Sequence, residues 1–512
     1  MEKLLCAVLV IQIFYINVSS SQSNSQQPDT PYAPNKNICD ICKCQGSATR
    51  KSDYFVLDCT NRNLTKLFND WPDIFGHNLT DHELVVKMSG NPLRKLKQLP
   101  GTEAITLFNC RNCSLSEIAS AAFLDVPLLY RVDLAFNELT GDTLRADIFR
   151  GRPNNNAYEP NAINDLDLTG NRITELSANV FEHCPAITRL SLSENKLKKL
   201  TESTVKALNS LKQLEVLNLS YTEISDLPSS LFHQMYKIRE LMLQGNKFVT
   251  VPSSVSLLGK SLKFLNIAQN PIAKLDASSF PNLHQLSHLT VDEMPALTEI
   301  DKLALQPLAS LEVLLCRENP LLKTFDLDAI EEHKKLRVLD LSNCGLKTLT
   351  LTTITDPKRN LSDFDKFDHL KVLKLEGNPF HCNCQLYKIL YILNHNVRDV
   401  FFSDTSARCH TPYDLFGLIL ARFDHEAACE TTYNDYKMRT SYDPPPFLRA
   451  RNILLTILSV TVVVIIGTLV GFGIVIVKRR LSKDELGLSS QVRYTTVRGS
   501  FNDVNSNRLS IH

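Results

Sequence analysis

The sequence predicts an α/β solenoid: a horseshoe of stacked repeats with disulfide caps at both ends, followed by one transmembrane helix. Three observations predict it. The pattern Leu-x-x-Leu-x-Leu-x-x-Asn/Cys-x-Leu returns about every two dozen residues from near position 85 to position 380. Two tight groups of four cysteines bracket that array. Beyond them, Ile453 to Val477 contains no charged residue and is followed at once by Lys478, Arg479 and Arg480.

At the N-terminus, Leu4 to Ile16 is apolar apart from Gln12, is preceded by Lys3, and runs into Val18, Ser19 and Ser20. Residues 1–20 therefore read as a cleavable secretory signal. Residues 21–37 are rich in Ser, Gln, Asn and Pro and predict a disordered leader. An N-terminal cap follows over 38–82, with Cys39, Cys42, Cys44 and Cys59. Its counterpart over 381–430 carries Cys382, Cys384, Cys409 and Cys429. A solenoid exposes a slice of its core at each end. Small caps have little core of their own, and in an exported chain disulfides staple them. The rival reading, a zinc site at Cys-x-x-Cys spacing, is disfavoured by the oxidising compartment. Four cysteines allow three connectivities, which leaves the pairing open.

Between the caps, residues 83–380 predict about twelve repeats, counted on Asn91, Cys113, Asn137, Asn171, Asn195, Thr222, Asn246, Asn270, Met294, Asn319, Cys344 and Asn378. Thr222 and Met294 depart from the consensus. Each Leu-x-x-Leu-x-Leu segment predicts a short parallel strand with leucines inward and the intervening residues on the concave face. The recurring Asn can pair backbone groups that would otherwise be buried unsatisfied. Phe123, Phe181, Phe232 and Phe280 recur on the return segments and predict packing beneath them. Strands stacked about 4.8 Å apart give an inner face of roughly 55 Å, a size for a protein or peptide rather than a metabolite. Cys110, Cys113, Cys184, Cys316 and Cys344 occupy core slots and read as buried thiols. A Cys110–Cys113 bridge is the alternative. Two spacings are long, one containing Arg150 to Asn161 and one containing Asp356 to Phe367. They predict surface loops, which tolerate variation and sometimes bind.

Residues 431–452, with Pro444, Pro445 and Pro446, predict a stalk. As a helix, residues 453–477 would reach about 37 Å, more than the ~30 Å hydrocarbon layer. The basic run after it marks the cytoplasmic side, although Arg449 and Arg451 weaken the asymmetry. The expectation is a single-pass type I plasma-membrane protein with its N-terminus outside. Gly467 and Gly471 form Gly-x-x-x-Gly, with Gly473 close by, a spacing that would let two membrane helices pair in a homodimer. The tail, 478–512, is too short for a folded signalling domain. In it Tyr494-Thr-Thr-Val497 has the form of a tyrosine sorting signal, and with Val492 of an inhibitory tyrosine motif.

The string Cys39-x2-Cys42-x-Cys44-x14-Cys59, and the string from Asn378 through Cys382, Cys384, Cys409 and Cys429, resemble the two caps of extracellular leucine-rich-repeat transmembrane proteins. The resemblance covers roughly Cys39 to Glu430. It implies the pairings Cys39–Cys44, Cys42–Cys59, Cys382–Cys409 and Cys384–Cys429. Lys388 stands where that family usually has Trp. The family includes Toll-like receptors and proteins similar to Capricious and Tartan. The absence of a TIR domain argues against the former, so the resemblance implies an adhesion molecule or co-receptor.

Two groups of residues on the expected concave face are candidates for ligand contact. One is acidic: Asp133, Asp165 and Asp167, flanked by Arg131 and Arg189. The other is apolar: Phe264, Val313, Leu315, Val338 and Val372. Contiguous exposed apolar groups mark binding sites, although Val is also common in such strands for structural reasons. Sequons stand at Asn63, Asn78, Asn112, Asn218 and Asn360. Asn218 lies between two inward leucines, so a glycan there would block the middle of the concave face. No catalytic set is visible. His284 and His288 have zinc-protease spacing without the following Glu. Neither a phosphate loop nor a Gly-x-Ser-x-Gly elbow occurs. Net charge is +1, so there is no basic field for nucleic acid. The expected function is therefore binding of an extracellular or cell-surface protein, without catalysis, metal or cofactor. Regulation of a secreted or membrane enzyme and endocytic trafficking are the alternatives.

Overall fold

The computed structural model describes residues 37–46, 54–72, 83–155, 157–351, 367, 369–396, 406–423 and 429. The signal segment, leader, stalk, membrane segment and tail lie outside them, as do Asn78, Asn360, Gly467, Gly471, Tyr494, Val497 and most of the insertion from Asp356 to Phe367. Among the described residues no helix is long and apolar enough to cross a membrane.

One fourteen-stranded sheet organises the array. Its strands are β1 (Lys43–Gln45), β2 (Tyr54–Asp58), β3 (Glu83–Lys87), β4 (Ile105–Asn109), β5 (Arg131–Asp133), β6 (Asp165–Asp167) and β7 (Arg189–Ser191), then β8 (Val216–Asn218), β9 (Glu240–Met242), β10 (Phe264–Asn266), β11 (His288–Thr290), β12 (Val313–Leu315), β13 (Val338–Asp340) and β14 (Val372–Lys374). They stand side by side in chain order. β1 is antiparallel to β2, and every later pairing is parallel. From β5 onward each strand is three residues long. The middle residue is buried and its neighbours face outward, as in Arg131-Val132-Asp133. Register stacks leucine on leucine from Leu166 through Leu190, Leu217, Leu241, Leu265, Leu289, Leu314 and Leu339 to Leu373. Phe123, Phe181, Phe232 and Phe280 close the core from the return side, all buried. One return segment is helical: α1 (Glu202–Asn209) is capped by Thr201, whose side chain accepts from the Thr204 N–H, and carries a Glu202–Lys206 pair one turn apart.

The consensus Asn residues form a ladder through the core. Asn246 is typical. Its Nδ2 donates to the carbonyls of Leu219 (2.8 Å) and Leu243 (2.9 Å), and its Oδ1 accepts from the N–H groups of Thr222 and Ile224 (both 3.1 Å). One side chain thus satisfies four buried backbone groups across two repeats. Where Cys344 replaces Asn, its Sγ takes over one of these bonds, 3.0 Å from the Cys316 carbonyl.

The caps carry the four disulfides Cys39–Cys44, Cys42–Cys59, Cys382–Cys409 and Cys384–Cys429. In the C-terminal cap, α2 (Cys384–Asn396) buries Leu386, Ile389, Leu390 and Leu393. Lys388 is exposed, so its replacement of Trp leaves no core slot polar. One expectation is corrected. Cys110 and Cys113 are not free thiols but are bonded to each other. β4 ends at Asn109, and Asn112 takes a left-handed φ of 54°, so the chain turns sharply and returns Cys113 to its neighbour. Cys184, Cys316 and Cys344 are buried and free. The segment from Arg150 to Asn161, expected as a loop, contains a small antiparallel hairpin of Pro153–Asn154 against Ala157–Tyr158.

Candidate functional site

The residues that flank each buried leucine form rows across the outward face of the sheet. The first outward position of the C-terminal strands places Phe264, His288, Val313, Val338 and Val372 in direct register on five adjacent strands. At about 4.8 Å per strand this row runs ~19 Å. Phe264 is 41% exposed, and its ring stacks on His288 with centroids 4.2 Å apart. Burial holds the His288 imidazole below its ordinary pKa, with Glu312 opposing, which favours a neutral ring that continues the apolar surface. Leu315 lies in the neighbouring row, between Thr290 and Asp340. The five apolar candidates are therefore brought together. His288 was not among them, although its place before Leu289 puts it in the same register as the others.

Two carboxylates near this row are paired. Asp292 is buried and accepts from Arg317 Nε (2.9 Å) and Nη2 (2.5 Å), and from the Arg317 N–H (2.7 Å). Asp340 is buried 3.3 Å from Lys374 Nζ. With these two carboxylates paired, the row beside them presents Phe264, His288 and three valines. That arrangement suits an extended polypeptide segment offering aliphatic or aromatic side chains across the strands.

The acidic candidates occupy a different setting. Arg131, Asp165 and Arg189 share one row, and Asp133, Asp167 and Ser191 the next. Arg131 Nε is 3.4 Å from Asp165 Oδ2. Asp133 accepts from Asn109 Nδ2 (2.9 Å) and from the Ala135 N–H (3.0 Å). Burial, with Asp167 alongside, raises the Asp133 carboxyl above its usual range. The bond to Ala135 is one of a series. Asn109, Asp133, Asp167, Asn218, Asn266 and Asp340 each accept the N–H two residues on, at 2.9–3.1 Å. These side chains end their strands as Asx turns. The recurrence of Asp or Asn at this one slot was the sequence signal for that role. Asp133 and Asp167 thus have structural work, and Asp165 has a cationic partner.

Just past each strand the chain enters the left-handed region, at Asn112, Phe136, Glu194, Tyr221, Gln269, Glu293, Glu318 and Asn343. The two aromatic cases are braced. Arg111 lies over the Phe136 ring at 4.1 Å. Tyr221 donates to Gln269 Oε1 at 2.6 Å, passing over Gly245, where a Cβ would sit 2.1 Å from the ring. Of the sequons, Asn63 and Asn112 are exposed. Asn218 ends β8, two strands from Phe264, and faces outward. Its hydrogen bonds from the Ser220 N–H and hydroxyl both use Oδ1, not the nitrogen that a glycan would take.

The 153–158 hairpin is tied back to the edge where chains enter the strands. Arg152 reaches Glu103 (3.4 Å) and Asp125 (3.9 Å), while Tyr158 packs edge-on against His183 and under Arg150. Among the described residues no three His, Cys, Asp or Glu side chains converge on a metal-sized site.

Two family models match: "Leucine rich repeat" over residues 161–216 and "Leucine Rich Repeat" over 335–356. The chain is similar to chicken (Gallus gallus) Tsukushi, 25% identical over 273 residues, covering 52% of this chain and 63% of that protein. It is similar to human lumican, 30% identical over 193 residues, covering 35% and 55%. It is also similar to Danio rerio transforming growth factor beta activator LRRC33, 32% identical over 170 residues, covering 33% and 23%. The chain spans less than two thirds of the length of each of these relatives. Together with the sheet, the Asn ladder and the capping disulfides, the matches make the array a leucine-rich-repeat solenoid with cysteine-rich caps.

Proposed function

We propose that this chain is a single-pass type I cell-surface protein that binds an extracellular protein through the C-terminal half of its sheet face, as an adhesion molecule or co-receptor. The observation that carries the reading is the five-strand row from Phe264 to Val372. Its length and apolar character match a polypeptide segment, and two of the carboxylates near it, Asp292 and Asp340, are already paired. The relatives support a binding role rather than catalysis. The zebrafish relative's name, a transforming growth factor beta activator, connects such an array with a growth factor. The uncharged run from Ile453 to Val477 and its basic flank support the membrane anchor. Gly467 and Gly471 support pairing of two such helices.

The test is a screen of cells displaying the full chain against a library of secreted and cell-surface ectodomains. Recovery of a partner whose binding needs Phe264 supports the proposal. Binding to no protein, with turnover of a small substrate, overturns it. A second reading, uptake of cargo, rests on Tyr494-Thr-Thr-Val497. Internalisation unchanged by Tyr494→Ala would dismiss it.

A further inference from the structure

We propose that Cys316 and Cys344 form a redox pair that closes to a disulfide across two adjacent repeats. They are 28 residues apart in sequence, and neither belongs to a cap or to the outward face. The solenoid brings them together. Cys316 occupies the last inward position of the β12 repeat, and Cys344 the ladder slot of the β13 repeat. In neighbouring repeats the ladder side chain reaches over that same inward residue one layer back, as Asn246 reaches Leu219 (2.8 Å) and Asn270 reaches Leu243 (3.0 Å). Cys344 Sγ does the same, 3.0 Å from the Cys316 carbonyl. Here the residue underneath is itself a cysteine, so the Cys344 side chain reaches over a second thiol one layer back.

The surroundings favour chemistry at one of the two sulfurs. The neighbouring Cys316 side chain holds the Cys344 thiol below its ordinary range, so Cys344 is the nucleophile. Asn319 Nδ2 donates to Cys316 Sγ at 3.2 Å, but the Cys344 side chain and burial hold the Cys316 thiol well above its ordinary range, so Cys316 is the second sulfur to react. Cys184 has no such neighbour among the free cysteines, and burial pushes its thiol far up. It is the built-in inert control. Within a single repeat, Cys110 and Cys113 fill the same two slot types and are bonded.

With a low-molecular-weight disulfide such as glutathione disulfide as oxidant, the step balances. The Cys344 thiolate attacks one glutathione sulfur, forming a mixed disulfide and releasing one glutathione thiolate. The Cys316 thiolate then attacks Cys344 Sγ, forming the protein disulfide and releasing the second. The two protons lost by the cysteines go to the two glutathiones, which together take up the two electrons. Both thiols are buried, so reaction proceeds through transient opening between the two repeats, and the product closes that route. The bond would staple together the layers that carry Val313, Leu315 and Val338.

The full-length protein is equilibrated across a range of glutathione redox buffers, denatured in acid, alkylated with N-ethylmaleimide and mapped by peptide mass spectrometry. The expected result is joint loss of the adducts on Cys316 and Cys344 in oxidising buffer, a disulfide-linked peptide pair in their place, and a retained adduct on Cys184. Oxidation should also raise the thermal midpoint of the wild type. Cys344→Asn restores the ladder residue and so keeps the fold; across buffers in which the other five disulfides stay formed, its midpoint should not respond to the oxidant. The proposal is overturned if both cysteines alkylate like Cys184 throughout, or if only glutathione adducts form. It is likewise overturned if Cys344→Asn responds to oxidant as the wild type does.

Discussion

Replacing Phe264 with alanine removes the largest side chain of the outward row without opening the core. The ring is 41% exposed. Of the ~200 Å² a phenylalanine can bury, about 80 Å² is therefore open to a partner. At ~25 cal/mol per Å² that area is worth ~2 kcal/mol when covered. Alanine would recover a small part of it, and the lost stack on His288 acts in the opposite sense. Phe264→Ala should thus weaken binding of the partner recovered from the ectodomain screen by roughly 10–30-fold. The assay is equilibrium binding of that labelled partner to cells displaying the full chain. Surface expression and the thermal midpoint should stay near wild type, because the change does not touch the buried leucine column. A change below about threefold, with expression intact, would refute the assignment of the row as the contact surface.

Asn270→Ala tests the ladder. It removes Nδ2 bonds to Leu243 (3.0 Å) and Ile267 (2.9 Å), and the Oδ1 bond from the Phe248 N–H (3.1 Å). Three buried backbone groups left unpaired should cost roughly 3–4 kcal/mol in urea unfolding; a loss under about 1 kcal/mol would contradict the role. His333 is buried, with Nε2 donating to the Leu305 carbonyl at 2.9 Å, and burial lowers its pKa below the ordinary value. The unfolded state then binds the proton more readily. The contribution of His333 to stability is present above the unfolded value of ~6.5 and is lost as pH falls through that value towards the folded one. His333→Gln should reduce the fall in thermal midpoint between pH 7.5 and 5.5; an unchanged fall would dismiss it. Glycopeptide mass spectrometry of the full chain from secretory cells should find Asn218 occupied, and an unmodified Asn218 would remove the steric limit on the middle of the face.

The inward leucines, the Asn ladder and the phenylalanines of the return side were legible in the sequence because each recurs in phase with the repeat. Period reports which way a residue faces. It does not report what lies one layer away. For that reason Cys316 and Cys344 looked like two unrelated core fillers, and His288 was weighed only for its spacing from His284 rather than as the partner of Phe264. Asp133 and Asp167 looked like an acidic patch because charge was read without the Ala135 and Thr169 N–H groups that claim it. Cys110 and Cys113 were close enough in sequence for a bridge to be weighed. The bridge depends on the sharp turn at Asn112, which the spacing alone did not reveal.

The central claim is that a protein lies along the outward row between Phe264 and Val372, and glycan wedges test it most directly. His288→Asn turns residues 288–290 into an Asn-Leu-Thr acceptor in the middle of that row. Glu202→Asn makes Asn-Ser-Thr at an exposed position of α1 on the return side. With occupancy of each new site verified by mass spectrometry, the partner should fail to bind the His288→Asn chain and should bind the Glu202→Asn chain as it binds the wild type. Undiminished binding to glycosylated His288→Asn would contradict the account.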